Sequence, residues 1–128
     1  MNANNQATIR PILLGNAIFS ILSGSLFTVF STLIANFLGV GASTIILLIG
    51  IGLIGYAALI YVNASRAEVS RSFVLFAILG DSAWVVLSIM LLLTNWVPFT
   101  VEGKWAIGII AAIVDVFATL QFMEWRKM

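Results

Sequence analysis

Four long apolar runs, at residues 11–36, 43–62, 72–94 and 104–123, constrain this chain more than any other feature. Each is close to the roughly 20 residues that an α-helix needs to cross a ~30 Å hydrocarbon layer. A soluble chain of 128 residues builds one modest core and has nowhere to hide four such runs. Composition agrees, with 62% hydrophobic and only 9% charged residues and a mean hydropathy of +1.14, where soluble domains carry roughly a quarter charged residues. Barrel strands do not fit, because they run only about 10 residues and alternate apolar with polar. The expected fold is an all-α integral membrane protein. It forms a single domain over residues 1–128, four transmembrane helices in an antiparallel bundle.

Local signals refine the picture. Pro11 suits a first helical position, where its missing N–H is not needed, and the short glycine-rich "FLGVGAS" predicts a tight hairpin between the first two spans. Arg10, Arg66, Arg71, Arg126 and Lys127 fall on one side of a four-span arrangement and Lys104 alone on the other. The positive-inside rule therefore puts both termini in the cytoplasm. Trp96 and Trp105 then mark the outer interface, and Tyr61 and Trp125 the inner one. The sequon at Asn63 lands inside, away from glycosylation. A cleaved signal peptide is the rival reading of the first run, but that run far exceeds a signal core of about 7–15 residues. The loop "TNWVPFTVEGKW" reads as an interfacial connection rather than a gate.

"GIGLIG", residues 50–55, matches the dinucleotide fingerprint G-x-G-x-x-G. It lies inside an apolar span with no strand before it, so its backbone N–H groups are committed to helix bonds. The spacing predicts close helix contact instead, as do Gly15, Gly24, Gly108, Ala111 and Ala112. The chain has no cysteine, hence neither disulfides nor thiolate chemistry, and no histidine, the commonest metal ligand and near-neutral acid–base group. No cofactor, metal or nucleic-acid partner is expected.

"LGNAIFSILS" (14–23) and "LGDSAWVVLS" (79–88) share Leu-Gly-[Asn/Asp]-x-x-aromatic-x-x-Leu-Ser. Both would run from inside to outside, which is compatible with a duplicated helical hairpin and aligns Asn16 with Asp81. Asn16-x-x-Phe19-Ser20-x-x-x-Gly24 together with Asp81-x-x-Trp84-Val85-x-x-Ser88 resembles the small uncharacterised four-helix bacterial inner-membrane proteins. The resemblance implies a four-helix protein of the inner (plasma) membrane and attaches no activity to any residue.

The two carboxylates Asp81 and Asp115 fall near the centres of the third and fourth runs, within roughly 3 Å of the midplane at 1.5 Å rise per residue. Sequential antiparallel helices at one depth make them expected neighbours. Gly80, Asp81, Trp84 and Ser88 share one side of the third span, Gly108, Ala111, Asp115 and Thr119 one side of the fourth, and Asn16, Ser20, Ser23 and Phe27 one side of the first. A small polar pocket is expected, capped by Phe19 and Trp84, with Tyr56 of the second span beside it. Every basic residue sits near a span end, and a bare carboxylate at a helix centre costs about 2.5–3.5 kcal/mol, so at least one Asp is expected to be protonated.

Three function classes follow. A protonatable carboxylate pair beside a tryptophan suits binding or transport of a proton, a small cation or a small cationic amphiphile. Alternatively, neutral Asp81 or Asp115 hydrogen-bonds Asn16, Ser20 or Ser88 and only fixes helix packing in an accessory subunit of a membrane complex. Acid–base catalysis by the two carboxylates is the third class, and the missing histidine, cysteine and nucleophile constellation argue against an enzyme. The small size predicts a homo-oligomer or a place in a larger membrane complex, alongside the lipid bilayer as partner.

Overall fold

A computed structural model describes the backbone from Ala3 to Met128 and the side chains from Ala7 onward. The helices are α1 (Ala3–Val29), α2 (Ser31–Leu38), α3 (Ser43–Ala64), α4 (Arg71–Leu93) and α5 (Val101–Arg126). Four of them, α1, α3, α4 and α5, are long and apolar enough to cross a membrane. Their outward faces carry Leu22, Leu48, Leu79 and Leu87, each about 60% exposed. Such a surface is stable only against hydrocarbon.

Two details of the first run differ from expectation. Pro11 lies inside α1 rather than at its start. The carbonyl of Ala7 thereby loses its donor one turn on; Ala7 is exposed, near the start of the helix. The run is also not one straight helix, since the dihedrals of Phe30 (φ −110°, ψ 33°) separate α1 from α2. One turn earlier the Thr28 hydroxyl donates to the Gly24 carbonyl at 2.7 Å, a back-bond of the kind that bends helices.

α1 packs along α3 and α5, and α4 packs along α5. At the α1–α3 crossing the backbones touch: a Cβ placed on Gly24 would lie 2.8 Å from the Gly50 carbonyl oxygen, and one on Gly50 would lie 2.6 Å from Thr28 Oγ1. Only glycine permits that approach. The expectation for "GIGLIG" therefore holds for Gly50 alone, because Gly52 and Gly55 face open space. Among the other small residues Ala111 is buried and Ala112 is exposed.

The bundle has chemically distinct ends. At one, Arg10 donates to the carbonyls of Ala64, Arg66 (2.8 Å) and Ala67 (3.3 Å), capping α3, and Arg71 lies 4.1 Å over the ring of Trp125. Ile9, Leu13, Ile60, Ala64, Val69 and Val74 form the core there. The start of α1, the end of α5 and five of the six basic residues thus gather at this end. At the other, Gly39 adopts φ 83° to close α2, Thr100 N–H donates to the Leu38 carbonyl at 3.0 Å, and exposed Trp96 and Trp105 stand at the rim.

Candidate functional site

Asp81 lies next to the midpoint of α4 and is 3% exposed. A carboxyl in that position requires donors, and three other helices supply them. Asn16 Nδ2 on α1 donates to Asp81 Oδ2 at 2.8 Å, and Gln121 Nε2 on α5 donates to the same oxygen at 3.0 Å. Tyr56 Oη on α3 reaches Oδ1 at 2.9 Å. The amides are themselves paired: Asn16 Nδ2 also donates to Gln121 Oε1 at 2.9 Å, and the Ser20 hydroxyl donates to Asn16 Oδ1 at 3.3 Å. All three donors to Asp81 are neutral.

The tyrosine has a second acceptor. Tyr56 Oη also lies 3.2 Å from the carbonyl oxygen of Ala77. Its one proton serves Asp81 when the carboxyl is ionised. When the carboxyl carries a proton on Oδ1, that proton is donated to the Tyr56 oxygen, and the phenol hydrogen turns to Ala77. Both protonation states are satisfied without moving a heavy atom.

Next to this network is a cleft of about 350 Å³, lined by α1, α3, α4 and α5, a size within the range of small-molecule sites. Asn16, Tyr56 and Asp81 form its polar end. From there it runs past Phe19, Ser23 and Trp84 to Phe27 and Ile110, roughly 16 Å along α1 at 1.5 Å per residue. Exposed Ile49, Gly52, Phe76 and Gly80 make its lips. The opening therefore lies between α3 and α4, toward lipid, where those helices lack the close packing of the other seams. The indole N–H of Trp84, buried in this wall, has no acceptor among the described residues.

Several expected site residues thus assemble: Asp81, Asn16 and Ser20 in the network, Tyr56 more centrally than its sequence position suggested, and Phe19 and Trp84 along the cleft. Ser88 does not join them. It is buried, but its hydroxyl donates to the Trp84 carbonyl of its own helix at 2.8 Å.

Asp115 overturns the expected pair. It is exposed on the outer face of α5. The α5 residue beside Asp81 is Gln121, six positions further on, which at 3.6 residues and 5.4 Å per turn lies about 9 Å along the helix and about 120° around it. The face turned inward carries Ala111, Val114, Ala118 and Gln121, whereas of the expected line through Gly108, Ala111, Asp115 and Thr119 only Ala111 is buried.

Sequence reasoning missed Gln121, although a signal for it existed. Asn16 and Asp81 stand 65 residues apart. The same offset carries Tyr56 onto Gln121, so Asp81 and its three donors form two corresponding pairs. No family model, curated protein or solved structure matches the chain.

Proposed function

We propose that this protein binds a small amphiphile drawn from the lipid phase through the α3–α4 opening, with Asp81 holding its polar end and exchanging a proton as it does so. The observation that carries this reading is one buried carboxyl at the polar end of an otherwise apolar cleft that opens to hydrocarbon. Intramembrane ionisable groups are expensive and mark functional sites, and a cleft is not needed merely to join helices. The reading involves no catalytic step. It places the chain in a bacterial inner membrane with the basic, terminus-bearing end in the cytoplasm, so that the cleft extends toward the outer leaflet.

A packing role is the second reading, favoured by the donors that three other helices direct at Asp81. Photolabelling separates the two. An alkyl probe bearing a diazirine, incubated with the protein in nanodiscs, should label Phe27, Leu53 or Ile110 in preference to lipid-facing Leu48 and Leu87. Uniform labelling of all apolar faces would leave only the packing role. Orientation is tested separately in this cysteine-free chain: Ser65→Cys should react with an impermeant thiol reagent only from the cytoplasmic side, and Asn95→Cys only from the opposite side. The reverse pattern would invert the topology.

A further inference from the structure

We infer that the ligand of this cleft is a lipophilic cation, an alkylammonium-type amphiphile, bound in exchange for the proton of Asp81. The inference rests on the proposed binding role and names its substrate class. Among the described residues, Asp81 is the only acidic side chain lining the cleft, and no lysine or arginine lines it. An anionic headgroup would therefore meet a carboxyl with nothing to balance either charge.

The cleft wall is rich in π faces: Phe19, Phe27, Tyr56, Phe76 and Trp84 all line it. Carboxylate plus aromatic faces is the chemistry that recognises ammonium groups, through ion pairing and attraction to the ring quadrupole. Spare acceptor capacity also exists. Oδ2 of Asp81 takes two hydrogen bonds, whereas Oδ1 takes only that of Tyr56. One Oδ1 lone pair remains for a cation.

Charge balance explains why a proton must leave. A protonated Asp81 and an incoming cation give a carboxylate, a bound cation and one released proton, so the cleft is neutral before and after and no net charge is buried in hydrocarbon. The hydrogen bonds follow: Oδ1 gives up its proton, and the Tyr56 hydrogen turns from the Ala77 carbonyl back to Oδ1. Among the described residues no other charged group faces Asp81 to blur the exchange. α1 contributes Asn16 and Ser20, α3 contributes Tyr56, α5 contributes Gln121, and Asp115 faces away.

The test uses the full chain in nanodiscs of zwitterionic lipid and two photoreactive probes of equal chain length. One is a decyltrimethylammonium, the other its isostere with carbon in place of the quaternary nitrogen. The cation should label the cleft about tenfold more than the isostere, and on the acid side its apparent Kd should weaken about tenfold per pH unit, as one-for-one proton linkage requires. A pH-sensitive dye in weak buffer should register one proton released per cation bound. Asp81→Asn should bind both probes alike and release no proton. Equal labelling of the parent by both probes, or binding without proton release, overturns the cation assignment and leaves the binding site standing. Failure of both probes to label the cleft overturns the site itself and the inference with it. If Asp81→Asn does not fold, the two-probe comparison and proton count on the parent decide alone.

Discussion

The α1–α5 and α3–α4 seams are counterparts under the 65-residue offset, yet one is closed and the other open. In the closed seam the ring of Phe117 fills the space beside Gly15, 3.4 Å from where a Cβ would be, and packs on Phe19 with centroids 6.0 Å apart. In the open seam Gly80 corresponds to Gly15 and Trp84 to Phe19, but the position corresponding to Phe117 is Gly52. Nothing lies within 4 Å of a Cβ placed there. Tyr56, 3.4 Å from the Gly80 Cβ position, spans the gap only at its polar end. A single missing ring accounts for much of the cleft, and for the absence of an aromatic partner for Trp84 across the seam. Two halves of related pattern thus divide the work: one seam holds the bundle together, and the other is kept open.

This comparison can be broken from either side. The largest stability effect is expected from Phe117→Gly, which empties the closed seam. Removing a large aromatic from a packed core costs about 3–5 kcal/mol, and because Phe117 is only partly buried, about 2 kcal/mol is expected here, read as a lower midpoint in denaturing-detergent titration. An unchanged midpoint would mean that this seam is not what holds α1 to α5.

The mirror substitution, Gly52→Phe, should close the open seam. It should reduce cleft photolabelling at least about tenfold without destabilising the bundle, since leaving glycine in a helix interior gains about 0.5–1 kcal/mol. Undiminished labelling of Phe27 and Ile110 would show that the probe binds elsewhere. At the polar end common to both seams, Asp81→Leu strands the donors of Asn16, Gln121 and Tyr56. Intramembrane hydrogen bonds average about 0.6 kcal/mol each, so a loss of about 1–2 kcal/mol is expected, with Asp81→Asn clearly milder in the same titration. Equal effects of Leu and Asn would mean that the network contributes nothing to packing. The smallest effect belongs to Asp115→Leu. It should leave cleft labelling within about twofold of the parent, because inward-facing carboxyls are the ones that build intramembrane sites and Asp115 faces outward. A larger loss would restore Asp115 to the site.

Although the first run, read as 11–36, is two helices, Ala3–Val29 and Ser31–Leu38, the sequence by itself determined the number of spans, the ends of the other three to within a few residues, the basic end of the bundle and the burial of Asp81 beside Asn16. Each of these rests on a quantity that reads directly from the chain: run length, charge position, or the high cost of a polar group in hydrocarbon. Rotation of each helix about its axis is a different matter. Lipid and protein interior are equally apolar, so an all-apolar span has little hydrophobic pattern to say which face turns inward. Only the packed bundle shows that rotation, with Ala111, Val114, Ala118 and Gln121 inward and Asp115 out. The cleft likewise appears only in three dimensions, because Gly52 in α3 reads as one more small contact residue until Phe117, the side chain it lacks, is seen filling the opposite seam.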